Sequence, residues 1–150
     1  MALDVPDEVA QFLAEQKTLT LATTGSDGSP HAVTLVYAND GPALYIWAHG
    51  GSATVDRIGE GALVGFAVDQ YSDDPRQTKG VQGTGNAAPA SGEEVAKAGD
   101  LFGQKFPHLR PGTSGAVSFF RIDPRELHFI DNTKGDGAPE SDEYRRQSFG

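Results

Sequence analysis

Between Lys17 and Ala48 the chain alternates apolar and polar residues with a period of two, broken only by clusters of turn-forming residues. Leu19 and Leu21 alternate with Thr18, Thr20 and Ala22 ahead of Gly25-Ser26-Asp27-Gly28. Val33, Leu35 and Tyr37 share one side of a second segment from Pro30 to Tyr37, and Asn39-Asp40-Gly41-Pro42 turns the chain into a third, Ala43 to Ala48. A period of two puts successive side chains on opposite faces, so this stretch is predicted to fold as a three-strand meander.

The remaining segments extend the same architecture. Asp4 and Pro6 open a short helix whose Val9, Phe12 and Leu13 fall on one face, suited to lid a barrel. Ser52 caps a helical run to Ile58 that Gly59 and Gly61 stop. Ala62 to Asp69 is nearly continuous in apolar character, which predicts a strand buried on both faces. Thr78 to Ala87 is a strand with Gly80, Gly83 and Gly85, a pattern that predicts bends, a bulge or close approach of a ligand. Ser91-Gly92-Glu93-Glu94 reads as a capping box before Val95, Ala98, Leu101 and Phe102, predicting a crossover helix that ends before Pro107. Two strands, Gly115 to Arg121 and Arg125 to Asp131, are expected around Asp123-Pro124. Six or seven strands with three helices argue for one α+β barrel over residues 1–133, with a polar, mobile tail over 134–150. A barrel of this size has a filled interior, so a ligand binds outside it or between subunits.

Composition narrows the chemistry. With 150 residues and no cysteine, the chain has the length of one domain and no means for disulfides, thiolate catalysis or a thiolate metal site. The acids and proline of the first eight residues do not form a signal peptide, and no apolar run approaches a membrane span, so a cytoplasmic location is expected. A net charge of −9 opposes nucleic acid and anionic membranes as partners, and an anionic ligand needs a local basic pocket. His31, His49, His108 and His128 have no metal-ligand spacing, and no Walker loop, Gly-x-Ser-x-Gly or His-Glu-x-x-His occurs.

Two segments carry the residues suited to a phosphorylated ligand. His49-Gly50-Gly51-Ser52-Ala53-Thr54 sets two glycines and two hydroxyls at a helix start, an arrangement equally suited to a plain cap and to a phosphate. Lys79-Gly80-Val81-Gln82-Gly83 sets a cation and an amide three residues apart, on opposite faces of a regular strand unless a bulge re-aims one.

Thr18 to Thr23, Gly28 to Val33, Leu44 to Trp47, Ser52 to Thr54 and Lys79 to Gly83 together, in their order and spacing, resemble the pyridoxamine 5'-phosphate oxidase-like split barrels. The ending Glu126 to Thr133 followed by Lys134-Gly135 is similar to the YhbP-like branch. The resemblance implies a six-stranded antiparallel split β-barrel with short flanking helices, of the FMN-binding type, working as a homodimer with FMN in a groove between two subunits. It implies contacts to the flavin ring from Val33, Thr34, Leu35, Trp47, Ala48 and Gln82, and to the phosphate from Ser52, Thr54 and Lys79. Related flavin barrels carry lysine where Thr54 stands, so this site has less positive charge. The implied activity is oxidoreduction of a small-molecule substrate, with the flavin carrying the hydride or electrons and no protein residue assigned as catalytic. The alternatives are a flavin- or haem-binding module without turnover, with His31, His49 or His128 as iron ligand, and a deazaflavin-dependent reductase.

Overall fold

The computed structural model describes residues 3–109, 116–134 and 146–150. In chain order the elements are α1 (Asp7–Glu15), β1 (Thr18–Thr24), β2 (Pro30–Asp40), β3 (Ala43–His49), α2 (Ala53–Ile58), β4 (Ala62–Gln70), β5 (Lys79–Pro89), α3 (Glu93–Lys105), β6 (Val117–Asp131) and β7 (Arg146–Phe149). The strands are antiparallel in the order β3-β2-β1-β4-β5-β6-β7, and pairing of β3 with β6 closes the first six into a barrel. The expected meander is β1–β2–β3, in the register Leu19↔Leu35 and Ala38↔Tyr45.

Leu19, Leu21, Leu44, Ile46, Val64, Phe66, Val81, Phe120, Ile122 and Leu127 fill the interior, and Val9, Phe12 and Leu13 of α1 join them. α1 thus lids the barrel as predicted, although its cap is Pro6 with no side-chain bond and Asp4 lies outside it. A second cluster forms where Ala98 and Phe102 of α3 cover Ala38 and Tyr45 on the outer face. Glu94 reaches back to the Ser91 N–H at 3.1 Å, the reciprocal half of a capping box.

Several expectations are corrected. β4 is buried on one face only, with Leu63 57% exposed, because its outer face carries no covering element among the described residues. The helix α3 is not a crossover, since β5 and β6 are direct antiparallel neighbours and α3 is an excursion between them. β6 is one strand that runs through Asp123-Pro124, its Pro124 sitting where the β5 register shifts at Thr84/Gly85. The chain end returns to the barrel: β7 pairs with Leu127 to Ile130 and Phe149 packs against the core, while residues 135–145 lie outside the described set. No helix among the described residues is long and apolar enough to cross a membrane.

One buried contact ties α1 and α3 to the barrel. The Tyr37 hydroxyl donates to the Leu13 carbonyl at 2.5 Å, and Lys105 Nζ donates to the same oxygen at 3.3 Å while lying 3.9 Å from the Tyr37 ring centroid. Burial, with the charge of Lys17 adding, pushes the Lys105 ammonium down to about 8, and burial pushes the Tyr37 phenol up. Between pH 8 and 10.5 the unfolded chain keeps a Lys105 proton that the folded chain has released, so this group makes stability rise with pH. Above pH 10 the unfolded chain loses a Tyr37 proton that the folded chain retains, and stability falls. Urea midpoints should therefore rise from about pH 7 to about pH 9.5, and Lys105→Met should abolish that rise.

Candidate functional site: the split between β2 and β3

β3 pairs with β6 from Leu44 to His49 but with β2 only from Ala43 to Ile46. The two strands then diverge, and the edge of β2 from Pro30 to Val36 has no partner strand on that side among the described residues. The Tyr37 N–H donates to the Lys17 carbonyl at 3.3 Å, so by alternation Leu35 and Val33 also bond to β1. The N–H and C=O groups of Ala32, Thr34 and Val36 accordingly face the opening. On the other lip the same alternation turns the backbone of Trp47 and His49 toward it. Thr34 and Trp47 therefore offer free backbone groups, whereas Val33, Leu35 and Ala48 contribute inward side chains to the core.

α2 stands at the end of this split. The Ser52 Oγ accepts from the Val55 N–H at 3.3 Å as a helix cap, and Thr54 is buried. Arg57, one turn from Thr54, reaches over the β1–β2 turn and donates to the Ser29 carbonyl at 3.0 Å. Beside it, bonds from the Ser29 side chain and N–H to Asp27 hold that carboxyl below its usual range, with Arg57 adding to the effect.

Two side-chain polar atoms next to the β1–β2 turn are buried without a hydrogen-bond partner among the described residues: Thr23 Oγ1 and His31 Nδ1. Thr23 and His31 are directly opposite in the β1–β2 ladder, on the inward side, whereas the Trp47 side chain, whose Nε1 is also unpartnered, packs on the outer face with the cluster under α3, in edge contact with His49 at 5.4 Å. An unpaired buried group costs about 1–3 kcal/mol, so the facing Thr23 and His31 mark a place completed by something polar. The sequence alone offers His31 only as a metal or iron ligand and gives no signal for Arg57. The available signal was the hairpin parity that aims His31 inward beside Thr23.

Lys79 and Gln82 lie elsewhere. Ala87 is the β5 residue opposite the start of β4, next to Gly61 after α2, while Lys79 is opposite Gln70 at the far end of β4, about 25 Å along the strand. The bulge falls between Thr84 and Gly85, beyond both residues, so it does not bring Lys79 and Gln82 to one face. Gly83 and Gly85 answer to β6 and not to a ligand, because a Cβ there would stand 2.3 Å from the Glu126 carbonyl and 2.6 Å from that of Asp123. Gln82 instead lines an outer groove of about 380 Å³ with Thr20, Ala22, Ala67, Thr84 and His128.

The sequence profile described as pyridoxamine 5'-phosphate oxidase matches residues 5–131. The chain belongs to this family. Comparison with curated proteins found no match. Among solved structures, a conserved hypothetical protein from Mycobacterium tuberculosis is 20% identical with TM-score 0.74 and 88% of each chain covered. A heme binding protein from Mycobacterium smegmatis is 20% identical with TM-score 0.73, and this chain, 93% covered, spans about half (55%) of it. An FAD binding protein from the same organism is 19% identical with TM-score 0.66, covering 83% of this chain and 93% of its own. These likenesses agree in the split barrel.

In this member of the pyridoxamine 5'-phosphate oxidase family the unpartnered Thr23 hydroxyl is a direct handle on the opening. Thr23→Val keeps the shape and removes a buried group with nothing to bond. It should stabilise the ligand-free protein by about 1–2 kcal/mol in urea unfolding, and the gain should shrink once a ligand is bound.

Proposed function

We propose that the chain is an FMN-binding oxidoreductase whose flavin lies between two copies, joining the split of one to the outer groove of the other. The observation that carries this reading is the division of the candidate residues. Thr34 and Trp47 lie on the two lips of the split, with Ser52 and Thr54 on α2 just after β3, whereas Lys79 and Gln82 lie on β5, two strands from β3 and three from β2. One cofactor meets both groups only if a second copy supplies one of them. The residues at the split fit such a group: the open backbone edges of β2 and β3 suit a planar ring with polar edges, and the Thr54–Arg57 face of α2 suits a phosphate. Arg57 replaces Lys79 as the cation from the same copy, so the implied lysine at position 54 is dispensable.

Bound flavin supplies hydride or electron transfer between a donor and a small molecule. The chain's own residues hold and orient it, and the β2 and β3 lips screen it from water. The similarity of Glu126 to Thr133 to the YhbP-like branch supports a reading of the chain as a member of that branch. A haem in the same opening is the second reading, supported by His31 and by the fold shared with the heme binding protein. A deazaflavin reductase is distinguished by binding deazaflavin in preference to FMN.

Mixing variants tests the two-copy site. Arg57→Ala and Gln82→Ala should each weaken FMN binding, measured by flavin fluorescence, and Arg57→Ala should leave riboflavin binding nearly unchanged. After unfolding and refolding together, an equal mixture should regain about a quarter of the wild-type sites, because half of the dimers are mixed and each holds one intact site. A monomer in sedimentation, or no recovery on mixing, overturns the reading, and a Soret band lost in His31→Ala selects haem.

A further inference from the structure

The outer groove has features that flavin contact does not use. Its floor is formed by Ala22, Gly65 and Ala67 on β1 and β4, and one wall by Glu126 and His128 of β6. His128 is directly opposite Gln82 in the β5–β6 ladder and opposite Ser148 in the β6–β7 ladder. Its Nε2 lies 2.5 Å from Glu126 Oε1 and its Nδ1 lies 2.8 Å from Ser148 Oγ. A carboxylate only accepts, so Nε2 carries the proton and the ring is fixed at both nitrogens. The His128 side chain is 16% exposed and that of Glu126 is 55% exposed.

The imidazole thereby aims Glu126. One carboxylate oxygen is committed to His128, and the other has no partner among the described residues. Glu126 is the charged side chain lining the groove besides any protonated His128, and the chain as a whole carries −9. The floor is open without a demand from the fold, because a Cβ on Gly65 would meet nothing closer than the Ala22 Cβ at 3.5 Å. A groove of about 380 Å³ accepts a small molecule.

We infer that this groove is a binding subsite for a small planar organic cation, with Glu126 as its counter-ion and the amides and hydroxyls of Gln82, Thr84 and Thr20 along its edge. This rests on the two-copy flavin reading in one respect only: there the subsite is the substrate's, since Gln82 faces the ring. Recognition is of an amidinium or ammonium on a flat ring, and no phosphate is required, since no lysine or arginine among the described residues lines the groove.

The test uses p-aminobenzamidine, whose fluorescence reports binding, against the FMN-loaded protein and separately against the FMN-free protein, with benzamide and benzoate as competitors. The cation should bind and be displaced by unlabelled benzamidine, while neutral benzamide should compete weakly and benzoate not at all. Glu126→Gln should weaken the probe about tenfold, the scale of one exposed charge-assisted bond. Gly65→Val should abolish probe binding with an unchanged circular dichroism spectrum, and Gly65→Ala should weaken it less. Equal competition by benzoate, or an indifferent Glu126→Gln, overturns the inference. Failure of FMN to bind while the probe still binds in a Glu126-dependent way removes the flavin reading and leaves the cation site standing.

Discussion

Closure of the barrel by β6 is the constraint on which the other features depend. This strand, Val117–Asp131, pairs with β5 along its length and with β3 over its first part. Following β6 out to His49 draws β3 away from β2, whose outer stretch is left without a neighbour. The split is thus a consequence of closure and not a defect in the sheet. Closure itself requires β5 and β6 to approach closely, which Gly83 and Gly85 permit because any Cβ there would strike the β6 backbone.

The same closure determines where polarity accumulates. The interior is apolar along the barrel, yet beside the β1–β2 turn Thr23 and His31 bury polar atoms that the described residues do not satisfy. At the opposite face β6 carries an arranged chain of Glu126, His128 and Ser148 over a groove of small residues. A strand that ends at one opening and lines the other connects the two regions through its hydrogen-bond ladders.

Much of this was legible beforehand. The period of two in Leu19 and Leu21, and in Val33, Leu35 and Tyr37, required strands with those side chains inward, because a one-residue slip would expose them all. Val9, Phe12 and Leu13 likewise announced the α1 lid. Less legible was β4, whose apolar run Ala62 to Val68 concealed an alternation that leaves Leu63 in solvent. The end of the chain was misjudged because composition weighs a segment alone, while β7 is held by one apolar anchor, Phe149, and by the free edge of β6. The candidate site divided in the same way: Thr34, Trp47, Ser52 and Thr54 lie on the neighbouring elements β2, β3 and α2, whereas Lys79 and Gln82 do not join them within one chain.

The sequence by itself determined the β1–β2–β3 meander with its turns and inward faces, and the apolar face of α1, since these follow from local periodicity and backbone preference. The tertiary structure alone decided that β3 leaves β2, that the glycines of β5 serve β6, and that Arg57 and not Lys79 stands beside Thr54. Those outcomes depend on pairings between strands far apart in the chain, and a local pattern carries no information about which distant edge a strand will choose.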